Sequence, residues 1–183
     1  MLEVNFTPFP EIITDRLLLR KITHRDLNQI LRLRSSDQTM KYVDREKAVT
    51  PGDAENFLTM IDQSLEANTG VAWGISLKDN PELLIGYVGH WRLIKEHYRA
   101  EVGYMLLPEY WKKGIMKEAL SAAIKYGFDT MKLHSIEARI NPENVASAAL
   151  LESTGFVREA WFKEDYFYKG KFGDTIVYSK LQS

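Results

Sequence analysis

Residues 70 to 107 constrain the fold of this chain more than any other stretch. Three apolar, strand-like runs, GVAWGISL (70–77), ELLIGYVGHWRLI (82–94) and RAEVGYMLL (99–107), follow one another with short polar connections at Lys78 to Pro81 and at Lys95 to Tyr98. Connections that short cannot carry a crossover helix, so the runs are expected to pair as an antiparallel meander. Directly after them the period changes. GIMKEALSAAIKYGFD (114–129) repeats Met116, Ala119, Leu120, Ala123, Ile124 and Phe128 at helical spacing. A strand therefore hands over to a helix at EYWKKGIMKEA (109–119), with Gly114 at the junction behind Lys112 and Lys113.

The flanking segments complete the pattern. DRLLLRKI (15–22) reads as a strand, and THRDLNQILRL (23–33) as a helix with Thr23 as cap and Asp26 in the capping-box position. TPGDAENFLTMIDQSLEAN (50–68) has Thr50 as cap, Pro51 at the first helical position, and Phe57, Met60, Ile61 and Leu65 on one face. Beyond the central helix come HSIEARI (134–140) as strand, NVASAALLEST (144–154) as helix and GFVREAWF (155–162) as strand. YFYKGKFGDTIVYSKL (166–181) reads as two strands around the turn KGKFGD. No repeat or low-complexity linker interrupts the chain, so residues 1–183 are expected to form one α+β domain.

Composition excludes several chemistries. The chain carries 27% charged residues at a net charge of −1, which gives no nucleic-acid footprint. It has no cysteine, so disulfides, thiolate metal sites and a cysteine nucleophile are ruled out. His24, His90, His97 and His134 show no ligand spacing, and no metal is expected. MLEVNFTPFPEIITDR lacks the pattern of a signal peptide and no apolar run has membrane length, so a soluble, cytoplasmic protein without membrane contact is expected.

A glycine-containing turn from strand to helix exposes backbone N–H groups that no helical carbonyl satisfies, at the positive end of the helix dipole. Phosphate oxygens bind in such places. Gly114 lets the backbone approach the anion and Lys112 and Lys113 add charge at the rim, although the same local pattern also occurs as plain architecture.

LLPEYWKKGIMKEAL (106–120) and NPENVASAALLESTGFVRE (141–159) together resemble the GNAT superfamily of acyl-CoA-dependent N-acetyltransferases, and within it the ribosomal-protein-alanine N-acetyltransferase branch. The likeness runs from TDRLLLRKI to DTIVYSKL. The superfamily's phosphate loop falls on Trp111, Lys112, Lys113, Gly114, Ile115 and Met116, with Trp111 in place of a polar residue and Met116 in place of a small one. Its later motif falls on Asn144, Ser147, Leu150, Leu151, Gly155 and Phe156, with Leu151 where many members carry tyrosine. The resemblance implies a mixed, mostly antiparallel sheet of about seven strands flanked by about four helices. It also implies a V-shaped opening between the parallel strands 99–107 and 134–140 that takes the pantetheine arm of acetyl-CoA. Unpaired main-chain groups at such an opening suit pantetheine amides. Backbone groups of Met105, Leu106 and Leu107 would address the pantetheine and thioester, and those of Lys112, Lys113, Gly114, Ile115, Met116 and Lys117 the pyrophosphate.

The implied reaction is acetyl transfer from acetyl-CoA to an amine. With no cysteine and no G-x-S-x-G elbow, direct attack in a ternary complex is favoured over a covalent acyl-enzyme. Such attack needs a deprotonated amine and a proton for the thiolate. Glu101 is the first candidate base, read alternatively as a strand glutamate paired with Arg99 or Arg139, and Glu164 and Asp165 are held in reserve. Ser147 is the candidate acid, read alternatively as a helix serine bonded back to a carbonyl. Asn144 either bonds the pantetheine or caps its helix. Trp73, Tyr87, Trp91 and Tyr104 divide between core and substrate pocket. The acceptor is expected to be a ribosomal-protein or peptide α-amine or a small amine, with a non-catalytic acyl-CoA-binding module as the alternative. A homodimer stays open as the assembly.

Overall fold

In the computed structural model, which describes residues 1–182, the meander pairs as its short connections require. β3 (Val71–Leu77), β4 (Gly86–Ile94) and β5 (Arg99–Leu106) run antiparallel, with Trp73 opposite Val88 and Gly89 opposite Gly103. β2 (Leu17–Lys21) adds to β3, and the two-residue β1 (Ile12–Ile13) adds to β2. On the other side β6 (Ser135–Ile140) lies parallel to β5, and the hairpin of β7 (Val157–Tyr168) and β8 (Lys171–Leu181) extends the sheet. The order is β1-β2-β3-β4-β5-β6-β8-β7.

Among the described residues the sheet has eight strands where about seven are expected. β1 is too short to leave a pattern. GFVREAWF and YFY, read as separate strands, are one continuous β7, bulged between Arg158 and Ala160 and between Phe162 and Tyr166. Glu164 sits in the second bulge with φ +52, which is how a charged, turn-like sequence is kept inside a strand. The turn itself shrinks to Lys169 and Gly170, both at positive φ as a tight hairpin demands, so Gly173 and Asp174 belong to β8.

Among the described residues five α-helices flank the sheet: α1 (Leu27–Ser35), α2 (Asp37–Met40), α3 (Pro51–Glu66), α4 (Ile115–Asp129) and α5 (Val145–Ser153). The single-turn α2 was not expected. α3 starts with Thr50 and Asp53 capping each other and Pro51 in the first turn. The segment predicted as one helix from Thr23 begins as a 3-10 turn, His24–Asp26, because the Asp26 carboxylate takes the Thr23 amide at 2.8 Å and a two-pronged ion pair from Arg20.

Two apolar layers share the sheet. α4 and α5 cover one face through Leu120, Ile124 and Leu151 against Trp73, Val102, Leu106 and Ile136. α1 and α3 cover part of the other through Ile30, Leu33, Phe57 and Leu58 against Tyr87, Met105 and Leu107. β5 serves both by alternation. Farther along this second face stand Glu101, Glu137 and Arg139, half-buried or exposed.

The opening in the sheet follows from the register. β5 and β6 are paired only at Arg99–Ser135, Ala100–Ile136 and Glu101–Glu137. Beyond that rung β5 stays with β4 as far as Leu106, and β6 stays with β8 as far as Ile140. The two parallel strands therefore part from Val102 onward and leave a V between them.

Candidate active site

The edge of β5 that lines the V can be assigned group by group. Leu107 donates its amide to the Ile85 carbonyl at 2.9 Å and so faces β4. In an antiparallel ladder the hydrogen-bonding direction alternates, so Met105 also faces β4, whereas Tyr104 and Leu106 turn their main-chain groups into the V. The Leu106 carbonyl accepts the Trp111 indole N–H at 2.7 Å, which leaves its amide for an occupant of the opening. Met105 and Leu107 instead bury their side chains against α1 and α3.

At the end of β5 the chain turns through Lys112, φ +57, and Gly114, φ +72, into α4. The first helical bond runs from the Glu118 amide to the Gly114 carbonyl at 3.1 Å. The amides of Ile115, Met116 and Lys117 consequently have no acceptor inside the helix. Ile115 buries its side chain, Met116 is half-buried, and Lys112, Lys113 and Lys117 are exposed around the turn. Lys113 extends its ammonium over the Tyr110 ring at 5.6 Å.

A residue that the sequence pattern did not reveal holds this turn. Arg16 donates Nη1 to the Lys113 carbonyl at 3.0 Å and Nε to Glu118 at 2.7 Å. The same glutamate accepts the Arg16 amide at 2.8 Å and the Thr14 hydroxyl at 2.6 Å. Partial burial pushes the Glu118 carboxyl up, but these hydrogen bonds outweigh it and hold the group below the ordinary carboxylate value. Arg16 Nη2 comes so close to Gly114 that a Cβ there would lie 3.4 Å from it. Arg16 and Glu118 are 102 residues apart, so no local spacing announces the contact.

Glu101 stands on the last rung before the V. Its carboxylate accepts Arg92 Nη1 at 3.0 Å, and one-fifth of the side chain is exposed. The partners proposed for it from sequence are engaged elsewhere: Arg99 pairs with Glu137, and Arg139 with Asp165 at 3.0 Å. Of the reserve carboxylates, Asp165 is thereby neutralised, and Glu164 is exposed on the β7 bulge with its amide bound to Asp174 at 2.9 Å.

Across the V, Asn144 caps α5 by accepting the Ser147 amide at 3.1 Å. Ser147 is buried, and its Oγ lies 2.6 Å from the hydroxyl of Tyr104 on β5. Burial pushes that phenol up to about 12 despite the serine. Of the other aromatics, two belong to the core. Trp73 is fully buried, edge-on to His90 and Tyr126, and Tyr87 packs on Phe57. Trp91 is half-buried opposite Glu101.

On the face that carries Glu101, an open groove of about 360 Å³ lies between Asp44 and the β7–β8 hairpin, lined there by Tyr166, Tyr168, Lys169, Lys171, Phe172 and Gly173. Tyr166 lies flat across Gly173, where a Cβ would come within 2.2 Å of its ring, so only glycine lets the phenol reach over β8. Burial and the neighbouring Asp44 carboxylate push the Tyr166 hydroxyl up to about 12. Among the described residues no cluster of three or more metal-ligating side chains occurs, and no helix is long and apolar enough to cross a membrane.

These features fit acyl-CoA: a parted strand edge for amides, and a turn with Gly114, flanking lysines and unfilled amides for phosphates. Comparison with known proteins agrees. The acetyltransferase (GNAT) domain family matches residues 16–157. Uncharacterized N-acetyltransferase YoaA of Bacillus subtilis is 35% identical over 171 residues, covering 93% of this chain and 96% of that protein. The [ribosomal protein uS5]-alanine N-acetyltransferase of Escherichia coli is 27% identical, with 93% and 90% covered. The crystal structure of spermidine N-acetyltransferase from Vibrio cholerae in complex with CoA and spermine superposes with a TM-score of 0.81 at 25% identity, covering 92% of this chain and 97% of that one. The chain belongs to the GNAT family and is an acetyltransferase that uses acetyl-CoA as co-substrate and an amine as acceptor.

Proposed function

We propose that the chain, acting as one domain over residues 1–183, acetylates the N-terminal α-amine of a protein or peptide by direct attack within a ternary complex. The observation that carries this reading is the placement of Glu101 on the last β5–β6 rung, facing the groove side, with Ser147 on the opposite layer of the same opening. An α-amine, with a pKa near ~8, is more readily deprotonated than a lysine near ~10.4, so one carboxylate is enough to receive its proton directly or through water. The amine nitrogen then bonds to the thioester carbonyl carbon, the carbon–sulfur bond breaks, and its electron pair leaves on sulfur. Ser147 donates its hydrogen bond to that sulfur, the nitrogen that becomes the amide sheds its second proton through solvent to the thiolate, and the ammonium proton received by Glu101 is released to solvent.

In this reading the Leu106 amide meets the pantetheine, joined by the side-chain amide of Asn144, whose oxygen is already used as cap. The amides of Ile115 to Lys117, with Lys112 and Lys113, hold the diphosphate. The groove of Asp44, Tyr166 and Tyr168 receives the acceptor chain behind its amine. The likeness to the uS5-alanine enzyme favours a peptide acceptor, whereas the spermidine enzyme supports a polyamine as the second reading. A panel of ribosomal-protein N-terminal peptides and polyamines with acetyl-CoA, followed by thiol release, tests both. Peptides with a free α-amine are expected to turn over at least tenfold more efficiently than spermidine. Preference for spermidine moves the assignment to small amines. Acetyl-CoA binding with no release on any amine leaves a binding module.

A further inference from the structure

The tyrosine that many relatives carry on α5 is replaced here by Leu151, and that side chain is fully buried in the layer between α5 and the sheet. A phenol nevertheless reaches the same helix from another element. Tyr104 projects from β5 three residues past the last β5–β6 rung, and its hydroxyl meets Ser147 on the first turn of α5. The contact bridges the layers on either side of the V.

The direction of this hydrogen bond follows from the chemistry of the two hydroxyls. Tyr104 is half-buried and Ser147 buried, and among the described residues each hydroxyl is the other's one hydrogen-bond partner. The phenol, with an ordinary pKa of ~10, is the more acidic of the two and the aliphatic serine oxygen the better acceptor, so the phenol donates. With the phenol as donor, the serine hydrogen is left to turn toward the opening. Ser147 also departs from the habit of its own helix. Ser153 and Thr154 bond back to the Leu150 carbonyl, at 2.9 and 3.1 Å, as helical hydroxyls commonly do, whereas Ser147 spends its oxygen on Tyr104.

We propose that Tyr104 is the positioning residue of the leaving-group end: its phenol donates to Ser147 Oγ and thereby directs the serine hydrogen at the departing sulfur. The inference rests on the assignment of Ser147 as the hydrogen-bond donor to that sulfur. Because burial keeps the phenol protonated throughout the working range, Tyr104 contributes a fixed donor and adds no ionisation of its own. No proton need leave the phenol during turnover.

The test combines kinetics with a titration. Tyr104→Phe, Ser147→Ala and the double variant are compared with the parent, with thermal melts to confirm folding, since phenylalanine keeps the ring and loses one oxygen. Tyr104→Phe should lower kcat by about tenfold with KM for acetyl-CoA unchanged. Added to Ser147→Ala it should cost nothing further, because it acts only through the serine. The second readout needs no turnover. The chain contains no cysteine, so the thiolate absorbance of a stoichiometric complex with free CoA reports the CoA sulfur alone. Its apparent pKa should rise by the same amount in Tyr104→Phe as in Ser147→Ala. A Ser147→Ala variant that moves neither kcat nor the thiol removes the serine assignment itself. A Ser147→Ala variant that moves both, beside a Tyr104→Phe variant that moves neither or that adds its full loss to the double variant, overturns the role of Tyr104 alone.

Discussion

The two ends of the proposed site are built from different materials. The diphosphate end is made of main chain: a turn at positive φ, unfilled amides, and a remote arginine and glutamate that hold the turn through four hydrogen bonds. The acceptor end is made of side chains on an open sheet face, where Glu101, Glu137 and Asp165 each find an arginine. Main-chain geometry is fixed by the fold and suits a co-substrate that never varies. Exposed ion pairs are individually weak, which suits a surface that selects among acceptors.

The same contrast governs acid stability, and the largest effect belongs to the covered face. His90 is fully buried under α4 with Nε2 on the Ala123 carbonyl at 2.8 Å, and burial lowers its pKa from 6.5 to about 4. The unfolded chain therefore binds this proton first. Stability from the neutral imidazole is complete above pH 6.5 and is lost as pH falls toward 4, amounting to about 3 kcal/mol. Chemical denaturation at pH 7 and pH 4 should show that loss in the parent and most of it abolished in a folded His90→Gln variant. An undiminished loss in the variant would move the acid sensitivity to the carboxylates of the open face.

Gly114→Asp should come next in size. It places a carboxylate where phosphate approaches, forces a side chain into φ +72, and offers Arg16 a competing partner. Acetyl-CoA affinity should fall at least tenfold, about 1.4 kcal/mol by calorimetry. An unchanged affinity in the folded variant would separate the turn from the diphosphate. Arg16→Gln should be milder, raising KM for acetyl-CoA roughly threefold to tenfold while KM for the amine stays fixed, because it loosens a turn without removing its amides. A matching rise in both KM values would mean that Arg16 supports the whole fold. Smallest is Arg92→Ala, which removes an exposed ion pair and should change stability by less than about 0.5 kcal/mol.

Much of the diphosphate end could be read from the sequence because it depends on local order. A meander, a change of period and one glycine place the turn on α4, and the unequal pairing of β5 and β6 then opens the V at Val102. Arg16 and Glu118, and the contact of Tyr104 with Ser147, escaped that reading because these contacts join residues 43 to 104 positions apart. The acceptor end was less legible still. Tyr166 reaches the groove only because Gly173 lies beneath it, and the β7 bulge that sets this register has no marker stronger than Glu164 and Asp165 in an otherwise aromatic run. The partners of Glu101 were misassigned for a related reason: Arg92 reaches it from an irregular rung between Trp91 and Ile94, at φ +46, which alternation does not foresee.

The pH profile of kcat/KM for Glu101→Gln beside the parent tests the division between the two ends most directly. The amide keeps the shape of Glu101 and removes its basicity. Turnover should fall by roughly two orders of magnitude, the acidic limb of the profile should disappear, and acetyl-CoA affinity should stay within about twofold. An acidic limb that persists at parental amplitude, with kcat little changed, would make Glu101 a structural partner of Arg92 and contradict its placement at the amine.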